Sequence, residues 1–246
     1  MLRRYRADLH VHTCLSPCGD LQMSPQKITA RLLKEGVDIV AICDHNSAEN
    51  VRAVAKAAEA KRVAVLPGME VCTREEAHVL AIFENEESAF SLQSLVYRHL
   101  AGKNDPDVFG LQVVANEFDE VVRLEDRLLI GAVDLPIDQI VQEIHRLRGL
   151  AIASHIDRES YSVIGQLGFI PSTLKFDALE LSSHIEEKQA RERFSDYQDM
   201  IFVRNSDAHF LDDVGKNTSE YLLDGPTFKE IAKALVKEDG RTVYSG

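Results

Sequence analysis

Asp8-Leu9-His10-Val11-His12 is the stretch on which the reading of this chain turns. Alternate residues of an extended strand share a face, so His10 and His12 can grip one metal ion without help from a loop. Seven more potential ligands sit at or just beyond the ends of apolar, strand-like runs: Asp20, His45, Glu70, His78, His155, Asp207 and His209. Imidazole and carboxylate without thiolate suit Zn²⁺, Mn²⁺ or iron better than a structural cysteine-type zinc site. Nine such residues exceed the needs of one tetrahedral ion, and a carboxylate such as Glu70 can bridge two. The count therefore favours a multinuclear centre, in which paired ions polarise a water and stabilise both attacking and leaving oxygens of a phosphoryl transfer.

Outward from this motif the pattern is strand then helix, repeated. Residues 6–12 read as a strand, and Ser24-Pro25 supplies an N-cap and a first-turn proline for a helix carrying Ile28, Leu32 and Leu33 and stopping at Gly36. Residues 38–43 form a buried strand ending at Asp44-His45, and Ser47 is read as the cap of a helix carrying Val51, Val54, Ala55 and Ala58. Strands follow over 62–66 and 78–83. Later, Pro136 opens a helix with Ile137, Ile140, Val141, Ile144 and Leu147 on one face, and residues 150–153, 177–181 and 200–203 are further strands. A final helix carries Phe228, Ile231, Ala232, Leu235 and Val236. Repeated βα units predict an α/β fold of parallel strands with right-handed crossovers, and barrel closure would gather the ligands at one mouth, at the C-terminal ends of the strands. Residues 85–134 break the rhythm with a helix (Leu92, Leu95, Val96), a polar loop over 102–106 and a hairpin whose strands flank 116–119. This stretch reads as an insertion near the mouth of a single domain spanning 1–246.

A chain of 246 residues, 45% hydrophobic, can bury one large core of the size common among α/β barrels. Its formal net charge of −12 argues against long duplex nucleic acid as a partner, since such binding displaces counterions with many Lys and Arg. Three bound divalent ions would halve that charge, so a small anionic substrate is compatible with it. The four cysteines form no C-x-x-C pair, the basic start passes into Asp8 with no apolar signal region, and no apolar run reaches membrane-spanning length. These features lead to the expectation of a cytoplasmic protein without membrane association; oligomeric state leaves no trace in the sequence.

The ordered set Asp8-Leu-His-Val-His12, Cys43-Asp-His-Asn46, Glu70 after Pro67-Gly68, His78, Ser154-His-Ile-Asp-Arg158 and Ser206-Asp-Ala-His209 resembles the PHP superfamily, named for polymerase and histidinol phosphatase, of metal-dependent phosphoesterases. The resemblance implies a distorted seven-stranded TIM-like (β/α) barrel holding two or three divalent ions. It places His10, His12, Glu70 and Asp207 on one ion, Glu70, His78 and His155 on a second, and Asp20, His45 and His209 on a third. The short gap from Glu70 to His78 looks like the compact branch, which includes nucleoside phosphate phosphatases and exonucleases acting on short oligonucleotides.

Four further positions receive a reading. Arg158, three residues past His155, is placed to hold a substrate phosphate with its planar fork, and Asp44 to orient a neighbouring imidazole or cap the following helix. His184 is a candidate substrate contact, although a solvent-exposed place at the start of the following helix suits it somewhat better. His99 and His145 read as structural or surface residues, and Cys14 and Cys18 as small packing residues. The expected activity is hydrolysis of a small phosphate ester: a nucleotide, a bisphosphate nucleotide or a short oligonucleotide. A metal-dependent amidohydrolase is the alternative enzyme, and a non-catalytic, metal-stabilised nucleotide- or partner-binding module the alternative from another class. Many such amidohydrolases use a bridging lysine, which no candidate strand end offers, and an eroded module would have lost ligands that are all present here.

Overall fold

The opening motif lies at the end of β1 (Arg3–Val11), the strand on which the barrel begins and closes. In the computed structural model, which describes residues 1–244, β1 pairs in parallel with β2 (Ile39–Ile42), and β2 with β3 (Ala64–Cys72). Next comes β4 (His78–Ile82). The small hairpin of β5 (Val113–Ala115) and β6 (Val121–Leu124) stands apart from the main sheet. The main sheet resumes with β7 (Leu150–Ala153), β8 (Ala178–Leu181) and β9 (Phe202–Arg204), paired in parallel.

β4 corrects the all-parallel expectation, because it runs antiparallel to both β3 and β7. Residues 73–77 are too few for a parallel crossover, which needs a dozen residues or more, so the chain must turn back as a hairpin. The reversal puts the first residue of β4, His78, at the end of the sheet where the parallel strands finish.

Closure occurs after β9. Leu9 N donates to Asn205 Oδ1 at 2.7 Å, His12 N donates to Ala208 O at 3.1 Å, and Val11 bridges Ala208 in parallel. Seven strands thus form a nearly closed barrel, while the first half of β1 pairs antiparallel with β10 (Ser219–Leu223), which in turn pairs with β11 (Thr242–Tyr244). The sequence reading has no strand past residue 203. Ser219-Glu-Tyr-Leu-Leu223 alternates in burial but not in hydrophobicity, so the period-two signal is lost.

Two apolar layers hold the barrel. Ala7, Leu9, Ile39, Ala41, Leu80 and Ile152 belong to an inner cluster, closed by Phe228 and Ile231 of the last helix. That helix is α8 (Phe228–Leu235), and α1 (Pro25–Glu35), α2 (Val51–Ala58), α3 (Glu86–His99), α4 (Pro106–Phe109), α5 (Ile137–Arg146), α6 (Val163–Leu167) and α7 (Glu187–Arg193) complete the fold. Ile28 and Leu32 of α1, Val51 and Val54 of α2 and Ile140 and Ile144 of α5 join the outer cluster at the helical spacing read from the sequence.

β3 is longer than expected, continuing through Pro67-Gly68 to Glu70 and Cys72. A Cβ on residue 68 would lie 2.8 Å from Cys43 Sγ and 3.0 Å from Ala81 O, so glycine is what lets β2, β3 and β4 approach there.

The 85–134 segment is fastened to the barrel end that carries the motif. Asn46 Nδ2 donates to Leu129 O and Gly131 O, both at 2.8 Å, and the Asp119 carboxylate accepts from Ser24 Oγ and Gln26 N. Two expected caps change role as a result. Asp119, not the Ser24 side chain, receives the amide at the start of α1, and Ser47 meets Tyr97 Oη at 2.8 Å, while α2 starts after Asn50.

Candidate metal centre

His10, near the end of β1 where the pairing register with β2 shifts, and His12, just past that end, present their Nε2 atoms 3.1 Å apart. Their other nitrogens are tied. His10 Nδ1 lies 3.1 Å from each oxygen of the buried Glu180, and His12 Nδ1 lies 2.9 Å from Ser16 Oγ, whose proton goes to Asp44 Oδ1 at 2.7 Å. Each imidazole therefore donates through Nδ1 and keeps the Nε2 lone pair free for a cation. His209 follows the same rule, with Nδ1 2.9 Å from the carbonyl of Asp207.

Glu70 sits at the centre of the cluster. Its Oε1 lies 3.0 Å from His78 Nδ1, 3.3 Å from His155 Nε2 and 3.4 Å from His10 Nε2. Its Oε2 lies 3.1 Å from His45 Nδ1 and 3.6 Å from His12 Nε2. Asp207 Oδ1 is 3.3 Å and 3.2 Å from the Nε2 atoms of His10 and His12. Ligand atoms around a tetrahedral ion with bonds of roughly 2.0–2.2 Å stand roughly 3.3–3.6 Å apart, so much of this spacing suits atoms arranged around cations.

Unpaired atoms carry the same message. Glu70 Oε1, His45 Nδ1 and His78 Nδ1 are buried without a well-aligned hydrogen bond, a condition that costs about 1–3 kcal/mol per group. Their lone pairs converge without pairing, which a divalent ion would relieve.

Three sets of ligand atoms fall within 4.8 Å of one another: His10, His12, Glu70 and Asp207; His45, Glu70 and His78; and His12, His45 and His209. The first is the expected set. In the second, His45 joins Glu70 and His78, with His155 reaching Glu70 from beside them. In the third, His12 replaces Asp20, whose Oδ1 accepts from Gln22 N at 2.7 Å in a local turn. Asp20 is thus the one expected ligand that the fold does not bring into these groups or among the residues beside Glu70.

The electrostatics follow from burial and proximity. Burial alone would depress His10, yet Glu180, Asp207 and Glu70 outweigh it and hold the imidazole well above its usual range. Burial would raise Glu70 and Asp207, but the surrounding imidazoles, His78 and His10 for Glu70 and His10 and His12 for Asp207, hold both carboxyls well below theirs. For His12, burial and the neighbouring His209 act together and push it down. The backbone is strained here too, with His155 at φ 29°, Asp207 at φ 49° and Tyr161 at φ 59°. Non-glycine residues hold such conformations only when the surrounding structure imposes them.

A cavity of about 580 Å³ opens above the cluster, lined by Cys18, Arg158, Tyr161 and, from the insertion, Ile130. Arg158 lies at the mouth as expected, with Nη1 2.7 Å from Asp207 Oδ2, the oxygen that does not face the histidines. Asp44 acts on His12 through Ser16 instead of touching an imidazole directly, and it also accepts from Thr13 N and Oγ1. His184 does not line the cavity. Asp157 holds Ser182 by both its amide and its hydroxyl, which leads the chain after β8 away and leaves His184 exposed. Among the other histidines, His145 pairs with Asp177 at 3.0 Å.

Sequence reasoning missed two residues. Glu180 supports His10, His155 N and Asn205 Nδ2 at once; its signal was an acidic residue amid the apolar run 177–181, opposite the histidine strand. Cys18, read as packing, lines the cavity together with His45 and His209.

A barrel whose mouth gathers six imidazoles and two carboxylates defines a metal-type site. The chain belongs to the PHP domain family, whose model matches residues 8–205. In fold it is similar to the lesion-specific endonuclease Q of Pyrococcus furiosus, with a TM-score of 0.75 and 17% identity over 98% of this chain and 58% of that one. It is also similar to a Bifidobacterium adolescentis protein assigned as a metal-dependent phosphoesterase, with a TM-score of 0.60 and 17% identity over 94% and 96% of the two chains. In sequence it is 32% identical over 90 residues to the uncharacterized protein MJ1587 of Methanocaldococcus jannaschii, covering 33% of this chain and 52% of that protein. The chain thus spans little more than half the length of MJ1587 and of endonuclease Q.

One expectation is overturned by these likenesses. Endonuclease Q has been seen in complex with a 27-mer duplex carrying an abasic lesion at its active site, so the exclusion of long duplex nucleic acid does not stand. Net charge was the wrong scale, because a duplex responds to the field over the face it touches rather than to the sum over the molecule. Among the described residues, no helix is long and apolar enough to cross a membrane.

Proposed function

We propose that the chain is a metal-dependent phosphoesterase that hydrolyses a phosphate ester of a nucleotide or oligonucleotide, with two or three divalent ions (zinc, manganese or iron) held by His10, His12, His45, Glu70, His78, His155, Asp207 and His209. The observation that carries this reading is Glu70, a single buried carboxylate whose two oxygens are shared among five imidazoles at 3.0–3.6 Å. Such a bridge suits adjacent ions, which when bound acidify a water and offset charge on phosphoryl oxygens.

The chain's own groups account for the remaining steps. Glu180, Ser16 with Asp44, and the Asp207 carbonyl fix the tautomers of His10, His12 and His209, so the ligand lone pairs are oriented in advance. Arg158 stands at the rim with its side chain 37% exposed, held by one carboxylate oxygen and able to turn its remaining N–H groups to a phosphate. The cavity has the size of a small-molecule site, and Tyr161 with Ile130 provides apolar surface beside the ions. We further read the chain as one domain in which the 85–134 insertion forms a wall of the mouth.

The test is a panel of nucleoside monophosphates, nucleoside bisphosphates, short oligonucleotides and an abasic-site duplex, offered to protein loaded with Mn²⁺, Zn²⁺ or Fe²⁺. Chelator-sensitive phosphate release or strand cleavage is expected. Protein that retains at least two ions and turns over none of these would overturn the proposal.

A further inference from the structure

We propose that Tyr161 is the platform on which the nucleobase of a substrate stacks while its phosphate lies beside Glu70 and Arg158. This rests on the reading of the mouth as a phosphoesterase site and names the part of the substrate that the cavity wall recognises.

Apart from the histidines, Tyr161 carries the only aromatic ring on the cavity wall among the described residues. That ring stacks on the imidazole of His78, with centroids 4.9 Å apart and planes inclined by 25°. His78 Nδ1 in turn lies 3.0 Å from Glu70 Oε1, so the tyrosine ring is one imidazole away from the central carboxylate. A nucleotide is built on the same plan, with one sugar ring between its phosphate and its base.

Packing alone does not account for this side chain. Tyr161 is 47% exposed even with its ring against His78, and its φ of 59° is one that a bulky residue holds only under constraint. Burial does not offset that strain, and strained residues cluster where a ligand is held.

The constraint comes from one short loop. His78 N donates to Tyr161 O at 2.8 Å, Arg158 N donates to His155 O at 3.0 Å, and Ser162 Oγ donates to Arg158 O at 2.6 Å. Gly165 N closes the loop by donating to Ser162 Oγ at 2.9 Å. A Cβ at residue 165 would stand 2.2 Å from Glu159 O, so glycine is what lets α6 begin this close to the loop. His155, Arg158 and Tyr161 are thereby held at fixed spacing: an imidazole beside Glu70, a guanidinium at the rim and an aromatic surface. Stacking asks only for a π-face, so the platform suits any base that is free of a duplex stack, in a mononucleotide or at an unpaired position of a strand.

Equilibrium binding of uncleavable analogues to the ion-loaded protein tests the platform without an activity assay. The probes are nucleoside 5′-phosphonates, in which carbon replaces the ester oxygen, and the base-free ribose 5-phosphonate. At least one base-bearing probe is expected to bind roughly 5- to 150-fold more tightly than the base-free one, the range that stacking on one aromatic side chain supplies. Tyr161→Ala should abolish that preference and Tyr161→Phe should keep it. The wild-type comparison needs no variant, so the test stands even if Tyr161→Ala does not fold. Equal affinity with and without a base, or no binding of either probe, would overturn the platform; turnover of phosphate esters by the same protein would then leave the phosphoesterase reading standing. A preference that survives Tyr161→Ala, or that Tyr161→Phe abolishes, would also defeat the assignment.

Discussion

Glu70 and Asp20 are both acidic and both close to the mouth, yet one carboxylate is encircled by imidazoles and the other closes a local turn. Glu70→Gln is therefore expected to remove most of the bound metal and Asp20→Asn little of it, as measured by elemental analysis after dialysis; equal loss would contradict the bridge. Arg158→Ala should leave metal content intact but lower kcat/KM. A charged hydrogen bond contributes roughly 1.5–3 kcal/mol, which corresponds to a loss on the order of 10- to 100-fold. Arg158→Lys should restore only part, because an ammonium cannot reproduce the fork. Unchanged kinetics in Arg158→Ala would reduce the residue to a partner of Asp207. Among single residues, the histidines of the cluster were legible because each sits at an end of an apolar run. Glu180 was not, since nothing in a strand's sequence says which imidazole will face it across the barrel. Cys18 was hidden for a different reason: a lone cysteine in a loop carries no pattern that places it on a cavity wall.

Elements were legible where one periodicity governed them. α5 buries Ile137, Ile140, Val141 and Ile144 on one face, as the spacing predicts. β3 was cut short in the sequence reading because Pro67-Gly68 ordinarily marks a break, whereas here the missing Cβ is what brings three strands together. Gly68→Ala should consequently destabilise the fold by about 1–3 kcal/mol, the usual cost of overpacking, measured by urea denaturation. A neutral result would mean that the strands spread without penalty. The pairing of α5 with the loop before β8 gives a pH signature. The hydrogen bond to Asp177 raises His145 above its usual 6.5, against the effect of partial burial. A raised imidazole contributes stability that is fully present below pH 6.5 and lost as pH rises through the folded value. The stability advantage of wild type over His145→Gln should shrink as pH rises from below 6.5 through the raised folded value, and a growing advantage would reject the pair as its source.

Across the whole molecule the barrel class was readable from the strand–helix rhythm, and the reversal of β4 could have been read from the short 73–77 link. The two strands after residue 203 were not, because their pairing depends on the free half of β1 rather than on their own pattern. On the proposed metal reading, ligands drawn from so many strands would make bound ions part of the fold's stability. An ion at about a hundredfold above its Kd adds about 2.7 kcal/mol, and for a chain of this size each kcal/mol moves Tm by about 2–4 °C. Loaded protein should melt well above chelated protein, and coincident melting curves would show that the ions contribute nothing to folding. The closure at β1 has a further meaning, in time rather than in energy. Leu9 is tied to Asn205 across 196 residues, and His12 to Ala208, so the first and last ligands meet only when the chain's ends are joined. Long-range closures of this kind are slow steps in folding. On a ribosome, a nascent chain would carry His10 and His12 into the cell long before Asp207 exists to join them. On the proposed metal reading, the first position cannot be completed before residue 207 has been made, and a chain halted before residue 207 should leave the ribosome with that position open.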